Sequence, residues 1–266
     1  SYIGTTGVIN TNGLPPIPGV DETSAVGGLL RNSSAATING SRFQGANDLP
    51  ALVLDATSLS ISNGSAFIGG NGTTGGAALL ATNGSMVTIH DGSFTGGVEN
   101  AALHLKNSDA TVNKGNFLGG LDGNSRQFGL VSFADAGITN RTVLNGGSFN
   151  ALDFAGEGMH YFVAGTNLTV DEFVVQDGGY LSVTNESDAP LQRIYVRSGD
   201  IAFAQDFTIS NGGFFRIEHE SSQSEFPGLE VGSGPEFDVG LGSAVASNFT
   251  FAAGAQLGIS VNTQTN

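Results

Sequence analysis

Residues 62–80 read "SNGSAFIGGNGTTGGAALL": six glycines, one phenylalanine, two N-x-[ST] triplets and a closing aliphatic run. The piece "ISNGSAF" at 61–67 has relatives along the chain. They are "INGSRF" at 38–43, "IHDGSF" at 89–94, "VNKGNF" at 112–117 and "VLNGGSF" at 143–149, with looser copies "VQDGGYL" at 175–181 and "ISNGGFF" at 209–215. A second motif keeps step with it: "ALVL" at 51–54, "ALLA" at 78–81, "ALHL" at 102–105 and, more faintly, "GLVSF" at 129–133. A third alternates: "SLSI" at 58–61, "MVTI" at 86–89 and "ATV" at 110–112.

Three short strand-like pieces, separated by Asn/Asp/Gly turns and recurring about every 25 residues, make one coil of a solenoid. No helical hydrophobic period runs over a useful length. Strands this short gain stability only by pairing with their equivalents above and below, about 4.8 Å away. The reading predicts an all-β, single-stranded right-handed parallel β-helix. Leu52, Leu54, Leu79, Leu103, Leu105, Ile61, Ile89, Val112 and the phenylalanines are expected to point inward in columns, with Phe67, Phe94 and Phe117 stacked. Corner glycines are expected to supply positive φ. A β-sandwich with glycine-rich hairpins is the alternative. Residues 1–29 read as an extended N-terminal arm around "GLPPIPGV", and 30–266 as the β-helix. Related motifs at Asn145, Asp177 and Asn211 predict wider coils after about residue 150.

Composition removes several function classes. Charged residues are 12% of the chain, about half the usual share. The net charge of −15 disfavours a nucleic-acid backbone as partner. There is no Cys, hence no disulfide framework and no thiolate metal site. No run of apolar residues is long enough to span a membrane, and the N-terminus lacks a signal-peptide pattern. If the protein is secreted, this sequence is expected to be the mature chain.

The "GSFTGG" and "GNFLGG" copies resemble the repeats of right-handed parallel β-helix proteins, the pectate-lyase-like superfamily. Within it they look like secreted bacterial passenger domains and β-helical surface proteins of microbial eukaryotes. The resemblance covers residues 30–150 well and 150–260 loosely. Its motifs record coil geometry and no chemistry. Pectin-active members work with clustered carboxylates or Ca²⁺ and a basic residue, and their Asn-Thr-Asp, Asp-Asp, Gly-His-Gly and Arg-Ile-Lys signatures do not occur here.

Other candidates are weak. Asp171 and Glu172 would point to opposite faces of a strand. Glu218, Glu220 and Glu225, with Arg216 and His219, read as a solvated acidic loop before a catalytic site. His90, His104, His160 and His219 lie far apart. "GGLDGN" at 119–124 is similar to Ca²⁺-binding turns, which need tandem copies. Thr88 and Thr111 align across coils, but Ser60 takes the slot before them, so no Thr-x-Thr ladder for ice forms. No catalytic, metal or cofactor residue is expected.

Sequons stand above background. N-x-[ST] occurs at Asn32, Asn39, Asn63, Asn71, Asn83, Asn140, Asn167, Asn185 and Asn248, nine of the 22 asparagines. Asn-Gly-Ser is also good turn chemistry, a rival account for Asn39, Asn63, Asn71 and Asn83. The expectation is an N-glycosylated, non-enzymatic extracellular or cell-surface structural protein: a rod-like subunit of a filament, flagellar hair, cell wall or surface layer. A carbohydrate-binding or carbohydrate-cleaving β-helix, adhesin or lyase-like, is the alternative. The expected partners are N-linked glycans and further copies of the chain, joined head to tail through the arm.

Overall fold

The computed structural model describes residues 28–258, except 34, 74, 124, 139, 156–158, 171–172, 177–179, 184–192, 197–199, 204–206, 210–213, 218–222, 232–235, 239 and 241–242. Every regular element among them is a strand, and all but two strands of a small antiparallel hairpin stack in parallel ladders. A coil has three faces. The first face is an eleven-stranded ladder running from Leu29–Arg31 through Leu52–Asp55, Leu79–Thr82 and Leu103–Lys106 up to Gln256–Gly258. At about 4.8 Å per strand it is roughly 50 Å tall. The second face begins Ala36–Asn39, Ser58–Ser62, Met86–Ile89, Asp109–Val112. The third begins Arg42–Gln44, Ser65–Ile68, Gly92–Thr95, Asn116–Leu118. Asn140–Phe149, Met159–Val170, Gln223–Val231 and Ser243–Phe251 are single long strands that run along the second and third faces and turn the corner between them.

The alternation read from the sequence places the core. Leu52, Leu79, Leu103, Leu130 and Leu152 occupy one ladder position on successive coils, and all are buried. Ile38, Ile61, Ile89, Val112 and Leu144 form a second inward column. On the third face Phe43, Phe67, Phe94, Phe117 and Phe149 pile into one stack. Their centroids are 5.1, 4.9, 4.8 and 4.4 Å apart and their planes lie within 6° of parallel. The expected stack of Phe67, Phe94 and Phe117 is thus present and extends one ring each way. The ladder spacing brings equivalent rings within stacking distance, although the ladder partners Phe215 and Phe237 lie 5.7 Å apart with their planes tilted by 47°.

The glycine-rich corners have two separate causes. The corner from the first face to the second is held by left-handed residues that are not glycine: Asn32, Ala56, Asn83 and Asn107, with φ of 50°, 48°, 55° and 51°. Asparagine tolerates that region better than other side chains. At the corner from the third face to the first, the pairs Gly69-Gly70, Gly96-Gly97 and Gly119-Gly120 need no positive φ, whereas Gly75 has φ of 60°. There the backbones of successive coils touch. A Cβ at Gly70 would overlap the Ala46 carbonyl, one at Gly97 the Gly70 carbonyl, and one at Gly120 the Gly97 carbonyl. The Gly69-Gly70 pair of the opening stretch is therefore a site of close approach, while the expected positive φ is found at Gly64, Gly75 and Gly84.

The coils do not widen after residue 150. On the first face, ladder partners lie 27 residues apart at Leu52 and Leu79, but 21 apart at Leu152 and Phe173 and at Phe173 and Ile194. The motifs used to measure the period occupy different corners. "VLNGGSF" lies in a strand joining the second face to the third, the strands around "DGG" join the first face to the second, and those around "NGG" at 211–213 join the third face to the first. Of the arm, only Gly28 and Leu29 are described, and Leu29 already opens the first strand.

Candidate functional site

The polar side chains that could carry chemistry sit mainly on corners, and there they pair up the stack. Asn63 Nδ2 donates to Asn39 Oδ1 at 2.6 Å, Asn83 Nδ2 to Asp55 Oδ1 at 2.7 Å, Asn107 Nδ2 to Asp135 Oδ2 at 2.7 Å and Asn145 Nδ2 to Asn113 Oδ1 at 2.8 Å. Asn113 Nδ2 also lies 3.3 Å from His90 Nδ1. Each pair joins one coil to the next.

The same corners account for much of the sequon pattern. At several of these corners a hydroxyl follows and turns back onto the chain. Ser85 Oγ donates to the Thr82 carbonyl at 2.7 Å, Ser65 Oγ to the Ser62 carbonyl at 2.8 Å and Ser41 Oγ to the Asn39 carbonyl at 3.1 Å. A corner built as Asn, spacer, Ser is also a sequon. Asn107-Ser108 and Ala56-Thr57 turn the same way with no spacer and are not sequons: Ser108 Oγ donates to the Lys106 carbonyl at 2.9 Å and Thr57 Oγ1 to the Asp55 carbonyl at 3.0 Å. Asn32, Asn39, Asn63, Asn71, Asn83 and Asn248 are exposed. Asn140 is different: it is 7% exposed, and its Nδ2 donates to Asp109 Oδ1 at 3.2 Å. No sugar fits on it in the folded chain. The surroundings of Asn167 and Asn185 lie outside the described side chains.

Few of the catalytic candidates come together. Arg216 Nε donates to Asp238 Oδ2 at 2.9 Å on the first face, whereas Glu225 stands on the second. Residues 218–222, 171–172 and His160's side chain lie outside the description. "GGLDGN" forms half of a small antiparallel hairpin, Leu121–Asp122 with Ser125–Arg126. His104 points outward between Leu80 and Val131. Burial holds its pKa below the ordinary 6.5, and neighbouring Lys106 adds to the effect.

One shallow depression lies on the outer surface of the second face. Met86, Thr88, Asp109, Thr111, Arg141 and Val143 line it. Thr88 and Thr111 are direct ladder partners, with Ser60 one strand below. Asp109 Oδ1 accepts from the Arg141 N–H at 2.8 Å. The floor is two adjacent columns, Thr88, Thr111 and Val143 in one and Met86, Asp109 and Arg141 in the other. No group of three or more His, Asp or Glu with metal-binding geometry occurs among the described residues, and no helix there is long and apolar enough to cross a membrane. Among family models, curated proteins and solved structures, nothing matches the chain.

Proposed function

We propose that the protein is a non-enzymatic structural rod of an extracellular or cell-surface assembly, such as a filament, a flagellar hair, a cell wall or a surface layer. The observation that carries this reading is the pairing of corner amides along the stack. Asn39–Asn63, Asp55–Asn83, Asn107–Asp135 and Asn113–Asn145 each tie one coil to the next. Side chains of this type converge on a substrate in an enzyme; here they run parallel to the long axis and stiffen it. Kinship with the pectate-lyase-like β-helices, and with surface members among microbial eukaryotes, rests on the shared coil plan. N-linked sugars at exposed sequons such as Asn71 and Asn248 fit a secreted rod, and further copies joined at the ends would lengthen it.

The experiment is electron microscopy of the purified protein together with a glycan array and a polyuronide-degradation assay. Rods or filaments with no glycan binding and no product support the proposal. Turnover of a polysaccharide would overturn it. A second reading rests on the second-face depression: Thr88, Thr111, Asp109 and Arg141 between Met86 and Val143 would suit a sugar ring. Array binding lost in Thr111→Val would favour it.

A further inference from the structure

The chain contains seven Asn-Gly steps, at 12–13, 39–40, 63–64, 71–72, 83–84, 145–146 and 211–212. The first and last lie outside the described residues. At such a step the next backbone nitrogen can attack the asparagine side chain, because glycine has no Cβ to hinder the approach. Most of the described steps are tied down. Asn63 Nδ2 donates to Asn39 Oδ1 at 2.6 Å, Asn83 Nδ2 to Asp55 Oδ1 at 2.7 Å and Asn145 Nδ2 to Asn113 Oδ1 at 2.8 Å. The attacking nitrogens are held as well. The Gly40 N–H donates to the Ser62 carbonyl at 3.2 Å and the Gly84 N–H to the Asn107 carbonyl at 2.7 Å. Gly146 is a ladder partner of Asn167 inside a long strand.

Asn71-Gly72 stands apart. Residues 69–78 cross the corner from the third face to the first here, where 45–51 and 96–102 cross it on the neighbouring coils. The extra length is a loop closed at its neck, where the Gly76 N–H donates to the Gly70 carbonyl at 3.0 Å. Asn71 is exposed on this loop and belongs to no ladder. Neither its side-chain amide nor the Gly72 N–H has a hydrogen-bond partner among the described residues. The Asp48 carboxylate lies against Gly72, where a Cβ would overlap it, and its Oδ1 accepts from the Gly75 N–H at 3.1 Å. The loop is thus anchored beyond the step and open at the step itself.

We propose that Asn71 is a site of spontaneous self-modification, in which its side-chain amide is lost to attack by the Gly72 nitrogen, and that the corner pairs shield the other described Asn-Gly steps from the same reaction. The Gly72 nitrogen gives up its proton and bonds to Asn71 Cγ. The Cγ–Nδ2 bond breaks, and ammonia leaves with that proton. A five-membered imide remains. Water, the only co-reactant, then opens it. Cleavage between the Gly72 nitrogen and Cγ leaves aspartate in an ordinary backbone; cleavage between that nitrogen and the Asn71 backbone carbonyl carbon leaves isoaspartate, with the chain running through Cγ. Nothing is oxidised or reduced. The product adds a negative charge beside the Asp48 carboxylate. It also ends the sequon Asn71-Gly72-Thr73, so this reaction and glycosylation compete for one amide.

The reaction is a property of the loop and does not depend on the structural role proposed above. Its test uses the 266-residue chain made in a host that adds no N-glycans. Folded protein and protein in concentrated urea are held for days near neutral pH, and peptide mapping follows each Asn-Gly step as a species about 1 Da heavier, resolved into aspartate and isoaspartate. In urea the described steps should convert at similar rates. In folded protein Asn71 should keep nearly its urea rate, while Asn39, Asn63, Asn83 and Asn145 convert at least ~10-fold more slowly, since the corner must open locally first. Asn71→Gln, whose imide would need a six-membered ring, should remove the main acidic species that accumulates in folded protein. An Asn71 that stays intact in folded protein while converting in urea overturns the proposal. So does equal conversion of all these steps in folded protein, or an acidic species that accumulates unchanged in Asn71→Gln. Failure here would leave rods visible in the microscope and the proposed function intact.

Discussion

Ala56 holds φ 48° in a column whose other members are Asn32, Asn83 and Asn107. Alanine resists that region because its Cβ crowds the following carbonyl. Ala56→Asn should therefore raise stability by about 1 kcal/mol, seen as a higher thermal midpoint; an unchanged or lower midpoint would mean the corner is not strained. The glycines give a sharper contrast. Gly64 has φ 65° and open space around a new Cβ, whereas a Cβ at Gly97 would strike the Gly70 carbonyl. Gly64→Ala should cost about 1 kcal/mol, and Gly97→Ala should prevent two neighbouring coils from closing. Urea titration of both variants separates the roles. Sequence reading gives both residues the same reason, because the letter G does not say whether a backbone dihedral or a neighbouring carbonyl excludes the side chain.

Strands carry the part of the fold that was most legible. The repeats at 51–54, 78–81 and 102–105 are ladder partners, and so are the phenylalanines from 43 to 149. A period-two pattern repeated in register determines which residues share a column. The later coil width was not legible, because similar Asn/Asp-Gly-Gly words serve all three corners, and counting between them mixes positions. Within the aromatic stack, Phe94 touches a ring on both sides and is fully buried. Phe94→Ala should cost about 3–5 kcal/mol, measured by denaturant unfolding, and a cost below about 1 kcal/mol would show that the stack repacks freely. His104 makes one strand of the first face sensitive to pH. Its folded pKa lies below the 6.5 of an unfolded chain. As pH falls below about 6.5 the unfolded state takes up the proton first, so stability declines with acid and then levels off once the folded imidazole is charged as well. The unfolding midpoint should drop between pH 7.5 and 5.0, and His104→Leu should remove part of that drop.

At the scale of the molecule, a solenoid is stabilised coil by coil through nearest neighbours, and its surface chemistry is set by where each corner points. The sequons illustrate what that does to a functional reading. Asn-x-Ser was legible as a count, but the reasons for it divide only in three dimensions, where Asn63 and Asn83 hold left-handed corners and Asn140 is buried against Asp109. If the chain passes through a glycosylating secretory route, glycopeptide mapping should find sugar on exposed Asn71 and Asn248 and none on Asn140. Sugar on Asn140 in folded protein would contradict the packing described around it. The depression on the second face was half legible: Thr88 and Thr111 align in the sequence, while Arg141 joins them only through a ladder offset of 32 residues from Asp109.

The small hairpin at 121–126 hangs from the corner between the third and first faces. The same corner is crossed by residues 45–51 one way and by 150–151 another, while the ladders on either side keep their partners. The molecule thus separates two kinds of inheritance. A residue gained or lost within a strand shifts its side chains out of their columns; one gained in the hairpin, beyond the touching glycines, leaves the ladders on either side in register. Length changes accumulate at corners: the one from the first face to the second also varies, with two residues between Lys106 and Asp109 and six between Phe133 and Asn140. A peptide spliced in at Gly123 would be carried outward on a scaffold that does not register its presence.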